Sequence, residues 1–255
     1  MKILLKIAYL GTAYCGYQVQ PNGVTVQEKL NEAAKAVFGF DCDIVGCSRT
    51  DSGVHARGFC ATVTKKGSAS LETSVPAARI PRALNVRLPE DISVLEAREV
   101  ADDFHPRYGV ASKEYEYLFY NGAERDPFLI DRAWHIPRQL DAAAVAAMNE
   151  AAAAFVGRHD FSALRDGDPD EKDPVRHVLA ASVTRSGDFI SFRVRADGFL
   201  YHMVRVMAGT LLEVGRGKIP AKEISWRMSE KNRKLFGATA PAHGLYLDRV
   251  FYPAE

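Results

Sequence analysis

Apolar and polar residues recur with two different periods along this chain, and each period predicts one type of element. Residues 2–9 place apolar side chains at every second position, the pattern of a strand with a buried face. Residues 26–38 repeat apolar side chains at helical spacing, and Thr25 with Glu28 forms a capping box at the start of that helix. The same criteria predict strands at 42–47, 59–64 and 92–100 and a helix at 75–84.

The second half of the chain repeats this order of elements. It has strands at 111–120, 178–185, 189–195 and 245–252, helices at 140–155 and 202–214, and a short helical insertion near 220–236. Each half therefore follows the order β-α-β-β-α-β of a ferredoxin-like unit. The predicted fold is α+β, with two ferredoxin-like halves at 1–105 and 106–255. We expect one extended, mostly antiparallel sheet, helices on one face, and a cleft between the halves as the default site.

Composition excludes several classes of protein. The 255 residues are 47% hydrophobic and 25% charged, which is ordinary for a globular protein and excludes disordered and collagen-like chains. Lys6 interrupts the apolar N-terminus, so this segment does not resemble a signal peptide. The four cysteines form no CxxC pair and are too few for a disulfide scaffold. We therefore expect a cytoplasmic protein with reduced cysteines.

Charge is distributed unevenly although the formal net charge is only +1. Residues 49–87 contain seven Lys or Arg and two acidic residues, and residues 193–234 contain ten and four, so their net charges are +5 and +6. Such a pair of basic segments can bind a polyanionic backbone, although a solvated helix face explains 222–234 equally well. Residues 160–173 are acidic and contain Gly167 and Pro169, which predicts an exposed loop.

The densest group of chemically useful residues is GCSRTDSGVHARG at 46–58, in a loop between two predicted strands. Asp51 lies between Arg49 and Arg57, and neighbouring guanidinium groups keep a carboxylate ionised. This favours a nucleophile or a charge stabiliser. The alternative is an Asx-turn in which Asp51 only binds backbone N–H groups. No zinc motif accompanies these residues, so no metal site is predicted.

A second group, FHPRYGVASKEYEY at 104–117, combines cations with an aromatic residue. Arg107 and Lys113 are of the type that contacts phosphates. Tyr115 on the following strand can stack on a base, or it can serve only in cross-strand packing.

A third group is FLYHMVRVMAGTLLEVGRG at 199–217. Met203, Met207 and Leu211 share one helix face and predict a core stripe. Arg205 lies off that stripe in the first turn, where a cation opposes the helix dipole, so we expect it to have a specific anionic partner. GRGK at 215–218 is not a P-loop, and no GxGxxG motif supports a nucleotide cofactor.

Together these segments resemble the tRNA pseudouridine synthase I family (TruA) almost from end to end. The resemblance rests on GTAYCGYQVQ at 11–20, RTDSGVHA at 49–56, FHPRYGVASKEYEY at 104–117, YHMVRVMAGTL at 201–211 and GLYL at 244–247. Tyr17 stands where Trp is common in the family, and Pro106 stands where Ala is usual. The acidic segment 166–173 also departs from the pattern expected there, which bears on local tRNA contacts.

The resemblance implies a cofactor-independent, homodimeric isomerase that converts uridines 38, 39 and 40 of the tRNA anticodon arm to pseudouridine. It assigns Asp51 as the nucleophile, Arg205 as its partner across the cleft, and Tyr115 as the residue that stacks on the target uracil. Further substrate contacts are implied at Arg49, Arg107 and Leu245.

Two other functions fit the sequence less well. A non-catalytic RNA-binding module would show an aromatic RNP1 pattern, which the chain lacks. A glycoside hydrolase would need a second carboxylate with a raised pKa, and no residue stands out for that role.

Overall fold

The computed structural model describes residues 1–167 and 173–253, which fall into two compact units. The first unit consists of Met1–Ala111 together with Tyr246–Glu255, and the second of Ser112–Leu245. The α+β class and the mostly antiparallel pairing of the strands are as predicted. The first unit continues to Ala111, beyond the predicted boundary after residue 105, and it also includes the C-terminal segment that begins at Tyr246.

The first unit contains five strands and two helices among the described residues. They are β1 (Lys2–Tyr9), α1 (Val26–Phe38), β2 (Cys42–Gly46), β3 (His55–Lys65), α2 (Ile80–Asn85), β4 (Ile92–Val100) and, from the C-terminal segment, β10 (Leu245–Phe251), whose first residue belongs to the second unit. β1 pairs antiparallel with β3 on one side and with β4 on the other, and β2 pairs antiparallel with β3. β10 runs parallel to β3, with Tyr246 opposite His55, which explains its place in this unit.

Local sequence signals account for the two helices of the first unit. The hydroxyl of Thr25 accepts a hydrogen bond from the Glu28 N–H at 3.3 Å, and the Glu28 carboxylate accepts one from the Thr25 N–H, so the capping box is confirmed. The helix predicted at 75–84 begins as a 3-10 turn at Ala77–Arg79 and continues as α2. Pro81 lies in the first turn of α2, where a missing N–H removes no helical hydrogen bond.

The second unit contains five strands and three helices among the described residues. They are β5 (Ser112–Tyr120), β6 (Trp134–His135), α3 (Ala142–Ala153), β7 (Gly157–Asp160), β8 (Val175–Ser186), β9 (Phe189–Ala196), α4 (Met203–Gly215) and α5 (Ile224–Ser229). β5, β9, β8 and β7 pair antiparallel in that order, and β6 adds to β5 in parallel. β6 and β7 were not predicted, because two to four residues are too few to show a period.

The helix α4 lies in the core of the second unit. Met203, Met207 and Leu211 are all fully buried, so the predicted core stripe is confirmed. Burial extends beyond the stripe to most of the helix, and Arg205 is the half-exposed exception in its first turn. No helix in the described part of the chain is long and apolar enough to cross a membrane.

Candidate active site

The predicted loop between β2 and β3 is present and carries Asp51 on a tight turn. The Val54 N–H donates to the Asp51 carbonyl oxygen at 3.1 Å, and Gly53 between them has φ +79°. A left-handed backbone at this position favours glycine, so the Asp-Ser-Gly sequence suits the turn. The Asp51 side chain is half-buried.

The N-terminal segment 11–17 holds this loop by hydrogen bonds. The Gly11 N–H donates to Nδ1 of the buried His55 at 2.9 Å, and the Tyr17 N–H donates to the Thr50 carbonyl oxygen at 3.2 Å. The Ser52 hydroxyl donates to the carbonyl oxygen of Tyr14 at 3.1 Å. The loop is therefore fixed at residues immediately before and after Asp51.

Two glycines allow this close approach of main chain to main chain. A Cβ at Gly11 would overlap the Val54 carbonyl oxygen, and one at Gly16 would lie 2.6 Å from the Thr50 carbonyl oxygen. Buried side chains complete the support, since Tyr9 Oη and Thr50 Oγ1 are hydrogen-bonded at 2.8 Å. We call this assembly of segment 11–17, Tyr9 and loop 50–55 the neutral clamp, because its described hydrogen bonds join uncharged groups.

Arg49 and Arg107 line a common cavity of about 230 Å³ within the first unit. Both side chains are exposed, and neither has a carboxylate partner among the described residues. His105 and Tyr108 line the same cavity with their rings 4.3 Å apart. The His105 Nδ1 accepts the Arg107 N–H at 3.1 Å, which orders this corner. The two candidate RNA-contacting arginines are thus brought together beside an aromatic surface.

Arg57 contacts the C-terminal strand through a salt bridge and an aromatic ring. Its Nη1 lies 3.0 Å from Asp248 Oδ1, and its guanidinium lies 4.1 Å from the centre of the Tyr246 ring. Both partners belong to β10. Arg57 therefore binds the C-terminal strand to the rest of the first unit.

In the second unit, Tyr115 lies on β5 opposite Val194 of β9. It is 7% exposed, and its ring meets Phe199 edge-to-face with ring centres 5.0 Å apart. Such an aromatic pair fixes the orientation of both rings. The ring of Tyr115 is thus held in one orientation, and this geometry agrees with base stacking as well as with cross-strand packing.

Arg205 is anchored to the segment that precedes β10. Its Nε–H donates to the Ala240 carbonyl oxygen at 2.8 Å, and its own carbonyl oxygen accepts the Ala240 N–H at 3.1 Å. The Ala240 carbonyl oxygen is an uncharged acceptor. This reciprocal pair of bonds fixes the base of the Arg205 side chain relative to residue 240.

Leu245 follows directly and is 5% exposed. It comes after a 3-10 turn at Ala242–Gly244, and a Cβ at Gly244 would lie 2.6 Å from the ring of Tyr117. The Tyr117 hydroxyl donates to the Pro241 carbonyl oxygen at 2.8 Å. Residues 240–245, which include the GLYL motif, are therefore packed between β5 and α4.

His243 is a neighbour of Arg205 that the sequence analysis did not select. Burial lowers the pKa of His243 below its usual 6.5, and the positive charge of Arg205 lowers it further, against opposing effects of Asp131 and the Ala133 carbonyl. The ring is therefore neutral at physiological pH. A single histidine in a turn carried no signal that would have revealed this.

Sequence analysis also missed a polar network of four side chains at the start of α4. Asp166 accepts hydrogen bonds from His202 Nδ1 at 2.8 Å, Arg233 Nε at 3.0 Å and the Thr239 hydroxyl at 2.5 Å. We call Asp166, His202, Arg233 and Thr239 the Asp166 network. The three partners lie 36 to 73 positions after Asp166 in the sequence, so no local pattern could have linked them to it. The rest of the predicted acidic loop, 168–172, lies outside the described residues.

The described residues contain no group of three or more His, Cys, Asp or Glu side chains arranged to hold a metal ion.

A family model described as tRNA pseudouridine synthase matches residues 6–109 and 151–253 of this chain. The chain belongs to the tRNA pseudouridine synthase family. The first matched block contains Asp51, Arg49 and Arg107, and the second contains Arg205 and Leu245, whereas Tyr115 lies between the blocks. The predicted family is therefore confirmed.

Curated relatives support the assignment over the full chain. The tRNA pseudouridine synthase A of Acetivibrio thermocellus is 43% identical over 251 residues, which cover 98% of this chain and 99% of that protein. The proteins of the same name from Moorella thermoacetica and Bacillus pumilus are 44% and 42% identical, and each match covers at least 97% of both chains. This tRNA pseudouridine synthase is accordingly an enzyme of the isomerase class.

Proposed function

We propose that this synthase isomerises uridines 38, 39 and 40 of the tRNA anticodon arm, with Asp51 as the nucleophile, and that it works as a cytoplasmic homodimer without a cofactor. The main support is the neutral clamp, in which two glycines and buried hydrogen bonds fix the loop that carries Asp51. Such support is expected for a side chain that must be placed accurately in a reaction.

The reaction breaks the N1–C1′ bond of a uridine and forms a C5–C1′ bond. In the nucleophilic route, the Asp51 carboxylate attacks C1′ and the uracil leaves with the N1 electron pair. The base turns, C5 attacks C1′ and displaces the carboxylate, C5 loses its proton, and N1 gains one. In the alternative route, the carboxylate removes a proton from the sugar to give a glycal. Both routes require Asp51 to be ionised, and Arg205 is the cation proposed to favour that form.

The other candidate residues have roles in binding the flipped nucleotide. Removing a uridine from its stack costs a few kcal/mol. Stacking on the Tyr115 ring returns about 1–3 kcal/mol per base. Arg49 and Arg107, which share one cavity, are proposed to bind RNA phosphates and to help open the target nucleotide, with Leu245 as a further contact.

The test is a pair of variants at Asp51 with a matched control. Asp51→Asn and Asp51→Ala should bind unmodified tRNA transcripts like the wild type but form no pseudouridine, measured by mass spectrometry after carbodiimide labelling. The control is Asp43→Asn in β2, whose carboxylate accepts the Gly67 N–H at 3.0 Å on the surface and has no part in the proposal. Pseudouridine formed by Asp51→Ala would refute the assigned role.

Two further measurements on the same reactions separate the alternatives. Mapping of the modified positions tests whether they are 38, 39 and 40. An assay for free uracil distinguishes an isomerase, which releases no base, from a glycoside hydrolase, which releases one base per turnover.

A further inference from the structure

The Asp166 network joins two segments of the second unit that are far apart in sequence. His202 is the residue directly before α4, whereas Arg233 precedes the segment 237–240 and Thr239 lies within it. Both oxygens of the Asp166 carboxylate are used, Oδ1 by Arg233 and Oδ2 by His202 and Thr239. One carboxylate thus ties the start of α4 to the segment 237–240.

His202 shows how closely this start is specified. Its backbone has φ +60°, a left-handed conformation that is uncommon for residues other than glycine. Its ring stacks on Tyr201 with centres 3.7 Å apart, and its Nδ1–H donates to Asp166. The bond to Asp166 therefore holds the residue that sets the direction in which α4 begins, three positions before Arg205.

The segment 237–240 is held to α4 on its other side. The Gly237 N–H donates to the Thr210 hydroxyl at 3.0 Å, and Arg233 Nη1 donates to the Gly237 carbonyl oxygen at 2.8 Å. The segment then ends at Ala240, whose carbonyl oxygen accepts the Nε–H of Arg205. The two supports of Arg205, its helix turn and its hydrogen-bond acceptor, are thus both connected to Asp166.

We propose that Asp166 is a positioning residue for Arg205: by binding His202, Arg233 and Thr239 together, it sets the direction of the Arg205 guanidinium. This inference rests on the proposed function, in which Arg205 takes part in the reaction. The inference also states that loss of the Asp166 carboxylate makes the Arg205 side chain more mobile, and this can be tested without measuring the reaction.

Other carboxylates of the second unit provide matched controls. Asp160 Oδ2 binds Lys231 Nζ at 2.7 Å, and its Oδ1 accepts the Ser162 N–H at 2.9 Å. Glu213 binds Arg216 and Lys218 at the far end of α4. Each is a partly buried acid with a basic partner, but neither is bonded to the segment 237–240 in the described structure. Asp160→Asn and Glu213→Gln therefore change charge and stability without changing the support of Arg205.

The geometric test observes Arg205 directly in the full-length protein. The Nε–H of Arg205 gives its own signal in a nitrogen–proton correlation spectrum, which Arg205→Lys identifies by removing it. In Asp166→Asn we expect this signal to shift and to exchange faster with water, whereas in Asp160→Asn it should stay as in the wild type. An unchanged Arg205 signal in Asp166→Asn would overturn the inference, whatever the activity.

The kinetic test separates positioning from stability. Misplacement of a reacting group lowers rates by about 10- to 100-fold, so kcat of Asp166→Asn on tRNA should fall within this range while KM stays within about threefold. Thr239→Val should show a smaller fall in kcat, and Thr239→Ser should restore it, because serine keeps the hydroxyl that donates to Asp166. Asp160→Asn and Glu213→Gln should retain wild-type kcat.

The outcomes distinguish this inference from the proposed function. If Arg205→Lys is inactive and Asp166→Asn has wild-type kcat, the inference fails and the proposed function stands. If Arg205→Lys keeps full activity, the proposed role of Arg205 fails, and the Arg205 signal still decides the geometric claim. A fall in kcat that the control variants share would assign Asp166 a purely structural role and contradict the inference.

Discussion

The loop that carries Asp51 and the helix start that carries Arg205 are fixed by different kinds of interaction. The neutral clamp holds Asp51 through main-chain hydrogen bonds and buried uncharged side chains, such as the Tyr9–Thr50 pair. The Asp166 network holds the surroundings of Arg205 through a carboxylate bonded to a guanidinium, an imidazole and a hydroxyl. Asp51 is thus held by interactions between uncharged groups, whereas the region of Arg205 is held by interactions with an ionised carboxylate.

This difference has consequences for how each support responds to its environment. Hydrogen bonds between uncharged buried groups do not depend on pH and are little affected by salt. An ionised carboxylate loses its interactions when it is protonated, and its partners are partly exposed here. Apart from the bond accepted by His55 Nδ1, the described hydrogen bonds that hold the Asp51 loop involve no titratable acceptor, whereas the Arg205 region depends on the charge of Asp166.

The largest effect on stability is expected at Gly11, where the neutral clamp leaves no room for a side chain. Gly11→Ala places a Cβ against the Val54 carbonyl oxygen. This oxygen is a main-chain atom, so it cannot move aside by a change of side-chain rotamer. We expect a loss of about 3 kcal/mol in the free energy of unfolding, measured with urea, since overpacking of a rigid site costs about 1–3 kcal/mol. In Gly167→Ala, no atom of the described residues lies within 4 Å of the new Cβ, so the free energy of unfolding should change by less than about 0.5 kcal/mol. Equal free energies of unfolding for the two variants would show that the neutral clamp accommodates the added Cβ at little cost.

A smaller effect is expected from removal of one neutral hydrogen bond. Tyr9→Phe leaves the buried Thr50 hydroxyl without this partner, and such a loss costs about 1 kcal/mol. Because neither group carries charge, the difference in unfolding free energy from the wild type should be the same at pH 5 and at pH 3. A difference that changes with pH would contradict the description of the clamp as neutral.

The smallest effect is the pH-dependent contribution of Asp166. Burial raises the pKa of its carboxyl, but hydrogen bonds from Thr239, His202 and Arg233 outweigh burial, so the pKa lies below the usual 3.8. A lowered pKa stabilises the folded state fully above pH 3.8, and this contribution is lost as the pH falls through the folded-state pKa. The stability difference between wild type and Asp166→Asn should therefore be constant from pH 7 to 5 and shrink below pH 3.8. Urea titrations at these pH values measure it, and a constant difference down to pH 3 would mean that Asp166 is not ionically bonded.

Much of the fold was predictable because its signals are local. The capping box at Thr25 and Glu28 and the alternation in β1 each lie within a few residues, and each predicted the right element. The short strand β6 and the split of the 75–84 helix were not predictable, since their form depends on neighbours that are distant in sequence. The same reason explains why the last strand was predicted as part of the half 106–255: its pairing with β3 depends on contacts distant in sequence.

The candidate site shows the same division. Asp51, Arg49, Arg107, Tyr115, Arg205 and Leu245 were selected because they lie in motifs of adjacent residues. Their catalytic and binding roles stay predictions. The network around Asp166 had no such signal, because Asp166, His202 and the pair Arg233 and Thr239 come from three distant segments of the chain.

The sequence by itself determined the family, the order of the elements and the residues that are candidates for chemistry, because these depend on residue types at short spacing. Only the tertiary structure decided that segment 11–17 clamps the Asp51 loop, that β10 completes the first unit, and that Asp166 supports the region of Arg205. The physical reason is that hydrogen bonds and close packing act over a few ångströms in space, whereas the residues that make them here are separated by tens to hundreds of positions in the chain.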